Sequence, residues 1–269
     1  MEAESVEHKD VALTSLVLPA YNPGPGIART WRELTSFLRG RPESWEVIFV
    51  CDGCTDGTPE RLHELSREDR APVRILSYPQ NQGKGYAVRH GLLAARGAYR
   101  LFTDVDLAYG WDDVVRVAQT LWSGAEVAIA SRRHEDSKLI LPQRLQGYAY
   151  RRHLQSQIFS FIVRMLLPLP DFDTQAGLKG LTARAARTVL PPLECKGFGF
   201  DCELLVTCVR QGLPVVEVPV TVRFEDVAST TGFKAARSML AEIWQMRRRQ
   251  KVAVVSHTPP ADSDIAAAA

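Results

Sequence analysis

The sequence predicts an α/β fold built on a mostly parallel sheet with helices on both faces. Three observations predict it. Short, continuous apolar runs recur five times before residue 132. Stretches with helical apolar spacing separate them. Polar, glycine-bearing loops follow the runs. Continuous rather than alternating apolar strands suit a sheet covered on both faces, and strand–helix alternation favours parallel pairing.

The elements follow in order. Residues 15–19 (SLVLP) read as a strand and 27–38 as a helix. Residues 46–51 (EVIFVC) form the second strand, followed by a polar helix over 58–70. Residues 73–77 (VRILS) form the third, before a helix over 85–95 that Arg96-Gly97 closes with a C-terminal glycine. Residues 99–103 (YRLFT), a helix over 111–122 and a strand over 126–131 (EVAIAS) complete the series. The second half is less regular. Residues 143–167 are helix-prone and end at Pro168 and Pro170. A short strand falls over 177–181 and a helix over 200–210, closed by Gly212. Residues 214–224 (PVVEVPVTVRF) alternate as one strand near a sheet edge, because Pro219 interrupts it. A basic helix covers 234–251.

The chain has 269 residues, 45% of them hydrophobic, with 33 basic and 31 acidic side chains. This is ordinary globular composition and excludes disorder, collagen and a disulfide scaffold. No apolar run reaches the ~18 residues of a membrane-spanning helix. Residues 1–10 are polar and acidic, unlike a signal peptide. Five cysteines, an odd number, point to reduced thiols in a cytosolic compartment. The C-x-x-C at 51–54 has no second pair to complete a zinc site, so two small residues at a strand end are expected. Charge is uneven. Residues 1–136 sum to −4 and residues 137–269 to +6, which makes the second half the place to seek an anionic partner.

In an open parallel sheet, ligands bind at the carboxyl ends of the strands. The polar residues lie there: 19–22 (PAYN), 52–58 (DGCTDGT), 81–85 (NQGKG) and Asp104-Val105-Asp106. Each loop alone fits a turn or a cap. Together they predict one crevice. Asp104 and Asp106, at i and i+2 on an extended chain, project to one side. Such a carboxylate pair suits a hard divalent cation, Mg²⁺ or Mn²⁺, that keeps positions open for phosphate oxygens. The competing reading is an acidic turn leading into a helix that Asp112 and Asp113 start.

These motifs, in this order, resemble the nucleotide-sugar domain of family 2 inverting glycosyltransferases, a GT-A-type fold. Ser131-Arg132, residues 173–179 (DTQAGLK) and residues 197–203 (GFGFDCE) are similar to the polyprenyl-phosphate branch, which includes the dolichyl-phosphate glucosyltransferases and mannose synthases. The resemblance covers residues 13–226. It implies transfer of a sugar, glucose favoured, from a nucleoside-diphosphate sugar such as UDP-glucose to a polyprenyl phosphate. Pro19, Ala20 and Tyr21 would wall the nucleoside pocket, and Asp52 would accept from the base. Lys84 would sit near base or phosphates, Asp104 near the sugar or ribose, and Asp106 would bind the metal. Arg132, Arg152 and Ser156 would hold the acceptor phosphate, with Arg144 and Arg151 as competitors. Asp173 and Gln175 would join the site. Pro23 and Leu107 depart from the pattern, which often has Glu and Gly there.

A lipid phosphate needs no general base. A hydroxyl acceptor, on a soluble sugar or polysaccharide, needs one, and Asp201 or Asp173 would supply it. A third alternative is a nucleotide-binding module without activity. The expected organisation is a flexible N-terminus over 1–12, a glycosyltransferase catalytic domain over 13–232, a basic amphipathic helix over 233–252 and a mobile tail over 253–269. The apolar residues 154–169 behind a basic segment, and residues 239, 240, 243 and 244 on one side of the last helix above Arg247, Arg248, Arg249 and Lys251, predict peripheral contact with an anionic membrane from the cytoplasmic side. Part of the 154–169 stretch is equally suited to core packing. No nucleic-acid partner is expected.

Overall fold

The computed structural model describes residues 12–39, 41, 44–140, 162–163, 165–167, 169–223 and 233–255. Strands β1 (Thr14–Ala20), β2 (Trp45–Asp52), β3 (Val73–Tyr78), β4 (Tyr99–Phe102) and β5 (Val127–Ser131) alternate with helices α1 (Gly26–Leu38), α2 (Thr58–Asp69), α3 (Lys84–Ala94) and α4 (Trp111–Trp122). Then come β6 (Lys138–Ile140), β7 (Lys179–Thr182), α5 (Ala183–Val189), α6 (Phe200–Arg210), β8 (Val215–Pro219), β9 (Thr221–Arg223) and α7 (Phe233–Val255). The main sheet has the order β3-β2-β1-β4-β7-β5-β8, and β6 pairs with β9 apart from it. Every main-sheet pairing is parallel except those of β7, which runs antiparallel to β4 and β5.

Side-chain alternation divides the core between the two faces. Leu16 and Leu18 of β1 meet Trp31, Leu34, Leu62, Val114 and Val117 from α1, α2 and α4. Val17, between them, meets Val88, Leu92, Leu205 and Ile243 from α3, α6 and α7. All twelve are essentially inaccessible, and removing one such leucine to alanine costs about 2–5 kcal/mol. At the edge opposite the crevice, Glu46 accepts from Ser15 Oγ (2.6 Å), Arg74 Nη1 (2.7 Å) and the Arg96 amide (2.9 Å).

Four expectations need correction. Helix α3 ends at Ala94 with Ala95 extended, so Gly97 is not its cap. Gly97 is small because a Cβ there would press on Leu13 O and Ser15 Oγ at 2.7 Å. The strand expected at 177–181 starts later, at Lys179. Residues 214–224 are not one strand. Pro219, lacking an N–H, ends β8 at the sheet edge, the Thr221 amide turns to Asp113 at 3.1 Å, and β9 joins β6 instead. Finally, Trp244 does not share the buried side of the last helix. Ile243 and Met246 enter the core, while Trp244 is 49% exposed beneath Arg248, whose guanidinium carbon lies 3.8 Å from the ring centroid. Of the stretch at 154–169, Val163 and Leu167 are core and Met165 is exposed. The remainder up to Phe161, with Arg164 and Pro168, lies outside the described residues.

Candidate active site

The four predicted loops do converge. Asn22 Oδ1 accepts the Thr55 amide and Asp56 the Gly24 amide, both at 2.8 Å, tying the β1 loop to the β2 loop. Asn22 sits at φ 45°, a conformation asparagine tolerates. Asp52 is buried, and its two carboxylate oxygens accept the Gln82 and Gly83 amides at 2.7 and 2.9 Å. It therefore anchors the glycine loop whatever else it contacts. A Cβ on Gly53, itself at φ 65°, would strike the Asn81 backbone. Pro19 and Ala20 end β1 in the interior, and Tyr21 is 58% exposed at the crevice edge.

From the glycine loop, Lys84 reaches Asp104 Oδ1 at 2.5 Å. Burial would lower the Lys84 pKa, but the charges of Asp104 and then Asp201 outweigh it and raise it. Asp104 also abuts Gly177, where any Cβ would collide with its Oδ2. Asp106 lies on the surface of the same turn, its Oδ1 taking the Ala108 amide at 3.2 Å. Desolvation by neighbouring loop atoms, then the Asp104 charge, raises its pKa. Leu107 closes the turn at φ 52° with its amide on Asp104 O at 3.1 Å. This left-handed conformation is the physical reason a glycine suits that place, and Leu107 holds it at a cost of about 1 kcal/mol.

The reversed strand β7 delivers residues 173–178 to the same edge. Asp173 is buried and receives Arg132 Nε at 2.8 Å, Arg132 Nη2 at 2.7 Å and the Arg132 amide at 2.9 Å. Burial would raise the Asp173 carboxyl, but the Arg132 bonds outweigh it and hold it below the ordinary range. Asp201, at the start of α6, meets the wholly buried Lys179 at 2.6 Å, and Lys179 also donates to Thr174 O and Ala176 O. Gln175 Nε2 is buried with no acceptor among the described residues. Buried polar groups of this kind ordinarily have partners, and a ligand would supply one. Arg152 and Ser156, with Arg144 and Arg151, lie outside the described residues.

Sequence reasoning missed two residues here. Tyr109 is buried where Arg132, Asp173 and Asp104 all act on its hydroxyl, and its backbone bridges to Val222. Glu242 of α7 accepts the Gly199 amide at 2.7 Å. Neither carries a motif.

Among the described residues no cluster of three or more His, Cys, Asp or Glu side chains is arranged to hold a metal. The donor set nonetheless fits a divalent ion that takes one or two carboxylates and completes its shell with phosphate oxygens and water. Asp104 and Asp106 are hard oxygen donors, and the charge pressure on Asp106 is what a cation relieves. The cysteines do not compete. All five are free thiols, Cys54 Sγ lies 3.3 Å from Ala20 O, and burial pushes Cys51 up to about 12. A depression of ≈ 380 Å³ between Arg32, Phe37, Arg41 and Trp111 involves none of the crevice residues.

A parallel sheet with one reversed strand, an acidic pair after β4 and a glycine loop before α3 define a nucleotide-sugar transferase of the GT-A type. The sequence profile of glycosyl transferase family 2 matches residues 15–188, and the chain belongs to that family. It is 30% identical over 234 residues to dolichyl-phosphate beta-glucosyltransferase of Saccharomyces cerevisiae, covering 80% of this chain and 69% of the yeast protein. It is 32% identical over 228 residues to the Drosophila melanogaster protein of the same name, covering 80% and 68%. Its fold matches that of glucosyl-3-phosphoglycerate synthase from Mycobacterium tuberculosis, solved with Mn²⁺, UDP-glucose and phosphoglyceric acid. The TM-score is 0.61 at 19% identity, covering 88% of this chain and 79% of that one. No described helix is long and apolar enough to cross a membrane.

Proposed function

We propose that this glycosyltransferase moves glucose from UDP-glucose to a polyprenyl phosphate such as dolichyl phosphate, inverting the anomeric carbon. The observation that carries the proposal is the pairing of the crevice. Lys84–Asp104 lies on the donor side and Arg132–Asp173 on the other, with Asp104 and Asp173 joined through the single segment 173–177. The curated relatives support the substrate, since both carry the dolichyl-phosphate glucosyltransferase name.

The chemistry follows from the residues. Asp173 engages Arg132 through Nε and one Nη2 hydrogen, which leaves the Nη1 hydrogens for an oxyanion. A guanidinium fork matches phosphate geometry. A lipid phosphate is already ionised near neutrality, its second pKa being ~6. It attacks without surrendering a proton, so Arg132 contributes orientation. Asp201 faces Lys179 and is neutralised by it, which suits an acceptor that needs no base. Asp104 and Asp106 would hold a divalent cation, Mg²⁺ or Mn²⁺, which when bound offsets charge on the departing diphosphate. Lys84 and Asp104 fix each other so that the sugar side of the donor meets one geometry. Trp244, stacked by Arg248, and Arg247 would rest on an anionic membrane surface, each basic residue adding about 1 kcal/mol.

The test is transfer from radiolabelled UDP-glucose and GDP-mannose, with and without dolichyl phosphate, in Mn²⁺ and in EDTA. Glucosyl lipid formed only with UDP-glucose, lipid phosphate and metal is expected. Transfer to a sugar or alcohol hydroxyl with no lipid product would overturn the proposal.

A further inference from the structure

We infer that Glu242, on the last helix, is a positioning residue for the donor half of the crevice; the inference rests on the donor-site reading above. Residues 195–200 pack backbone to backbone against the glycine loop that carries Lys84. The Tyr86 amide donates to Lys196 O at 3.1 Å. A Cβ on Gly83 would strike Lys196 O, and one on Gly85 would lie 2.5 Å from Phe200 Cβ and 2.7 Å from Gly197 O. Phe198, partly exposed, presents its ring 6.0 Å from Lys84 Nζ. Most of this contact is backbone on backbone, so a shift of the turn at 197–199 passes to the loop that carries Lys84.

Glu242 grips that turn from the far side. Its Oε2 takes the Gly199 amide, and its carboxylate fills the space beside both glycines. A Cβ on Gly197 would collide with Oε1, and one on Gly199 would lie 2.8 Å from Oε2. Ile243 and Met246 bury the same helix against the core, which fixes where the carboxylate stands. Glu242 touches no reacting atom. It holds Gly197-Phe198-Gly199 against Gly83–Tyr86, and through them sets the place of Lys84.

The experiment titrates UDP and GDP in Mn²⁺ by calorimetry, alongside thermal melting, for the wild type, Glu242→Ala, Glu242→Gln, Gly197→Ala and the double variant Glu242→Ala/Gly197→Ala. Glutamine keeps an acceptor for the Gly199 amide, so Glu242→Gln is expected within about threefold of wild type in UDP affinity. Glu242→Ala and Gly197→Ala, which both take the carboxylate off the turn, are each expected to weaken UDP about tenfold, and the double variant no further, because the two act on one contact. A carboxylate that only stabilised the fold would lower the melting temperature and leave UDP affinity at low temperature unchanged. Equal UDP affinity for wild type and Glu242→Ala, or additive losses in the double variant, overturns this inference alone. A wild type that takes neither nucleotide overturns the donor-site reading and the inference with it.

Discussion

Arg132 and Asp173 face each other as fork to fork, with guanidinium and carboxylate joined at 2.7 and 2.8 Å and the Arg132 amide adding a third bond. The pair joins the end of β5 to the segment before β7. It therefore serves the fold and the site together. Replacing Asp173 by Asn leaves the arginine facing a neutral amide. Breaking a fully buried pair costs about 3–5 kcal/mol. The Arg132 side chain is 31% exposed and regains some hydration, so about 2 kcal/mol is expected from urea denaturation. Transfer to lipid phosphate should fall at least ~10-fold, as the fork loses its orientation.

The same pair sets a pH dependence. Asp173 has its folded pKa depressed, so its stabilisation is fully present above the unfolded value of ~3.9 and is lost as pH falls through the folded value. Acid unfolding monitored by circular dichroism should therefore steepen below pH ~3.9 in the wild type and flatten in Asp173→Asn.

Gly177→Ala tests the seat of Asp104. Gly177 is not among the glycines with positive φ, so alanine suits its backbone and the fold should survive. The new methyl would displace the Asp104 carboxylate from Lys84. A misplacement of this kind costs roughly 100-fold in turnover. Near-wild-type circular dichroism with a collapse of transfer is the expected result.

Asp201 separates the two acceptor chemistries. Asp201→Asn strands the buried Lys179 ammonium and should destabilise by about 3–5 kcal/mol. Adding Lys179→Met removes the stranded charge and should recover part of that loss. With a phosphate acceptor, the folded double variant keeps transfer within about tenfold, whereas loss of a true general base costs ~10²–10⁴-fold. A rate assay on the double variant decides between them.

Glu46→Gln is the control far from the crevice. Burial would raise Glu46, but Ser15, the Arg96 amide and Arg74 outweigh it and hold its pKa low. The variant should lose about 2 kcal/mol in urea, by weakening hydrogen bonds to a charged group, and leave transfer at 25 °C unchanged. Its stabilising share, like that of Asp173, should vanish on acidification.

Much of this was legible in the sequence because strand ends announce themselves. An apolar run that stops at a polar residue, as β2 does at Asp52 and β4 does just before Asp104, marks the crevice edge without any tertiary information. Helices α4 and α6 fall where their apolar spacing puts them. What stayed hidden depends on distant partners. Strand β6 is three residues long and exists only because β9 lies beside it. Helix α5 is seven residues, too short to show a helical apolar period, and the Thr182 hydroxyl that accepts the Ala185 amide starts it. Lys179 looks like a surface lysine until Asp201 and two carbonyls enclose it. Glu242 belongs to the site only through a turn 43 residues earlier.

The reversed course of β7 has a practical outcome. Every described segment that carries a candidate site residue, including the one that precedes a strand instead of following it, is gathered at a single rim. The opposite rim is left to packing, and Ser123, exposed just after α4 at φ −79°, presents a side chain there on ordinary backbone. A dye, an affinity handle or a surface tether attached there reports on the working enzyme without entering its reaction.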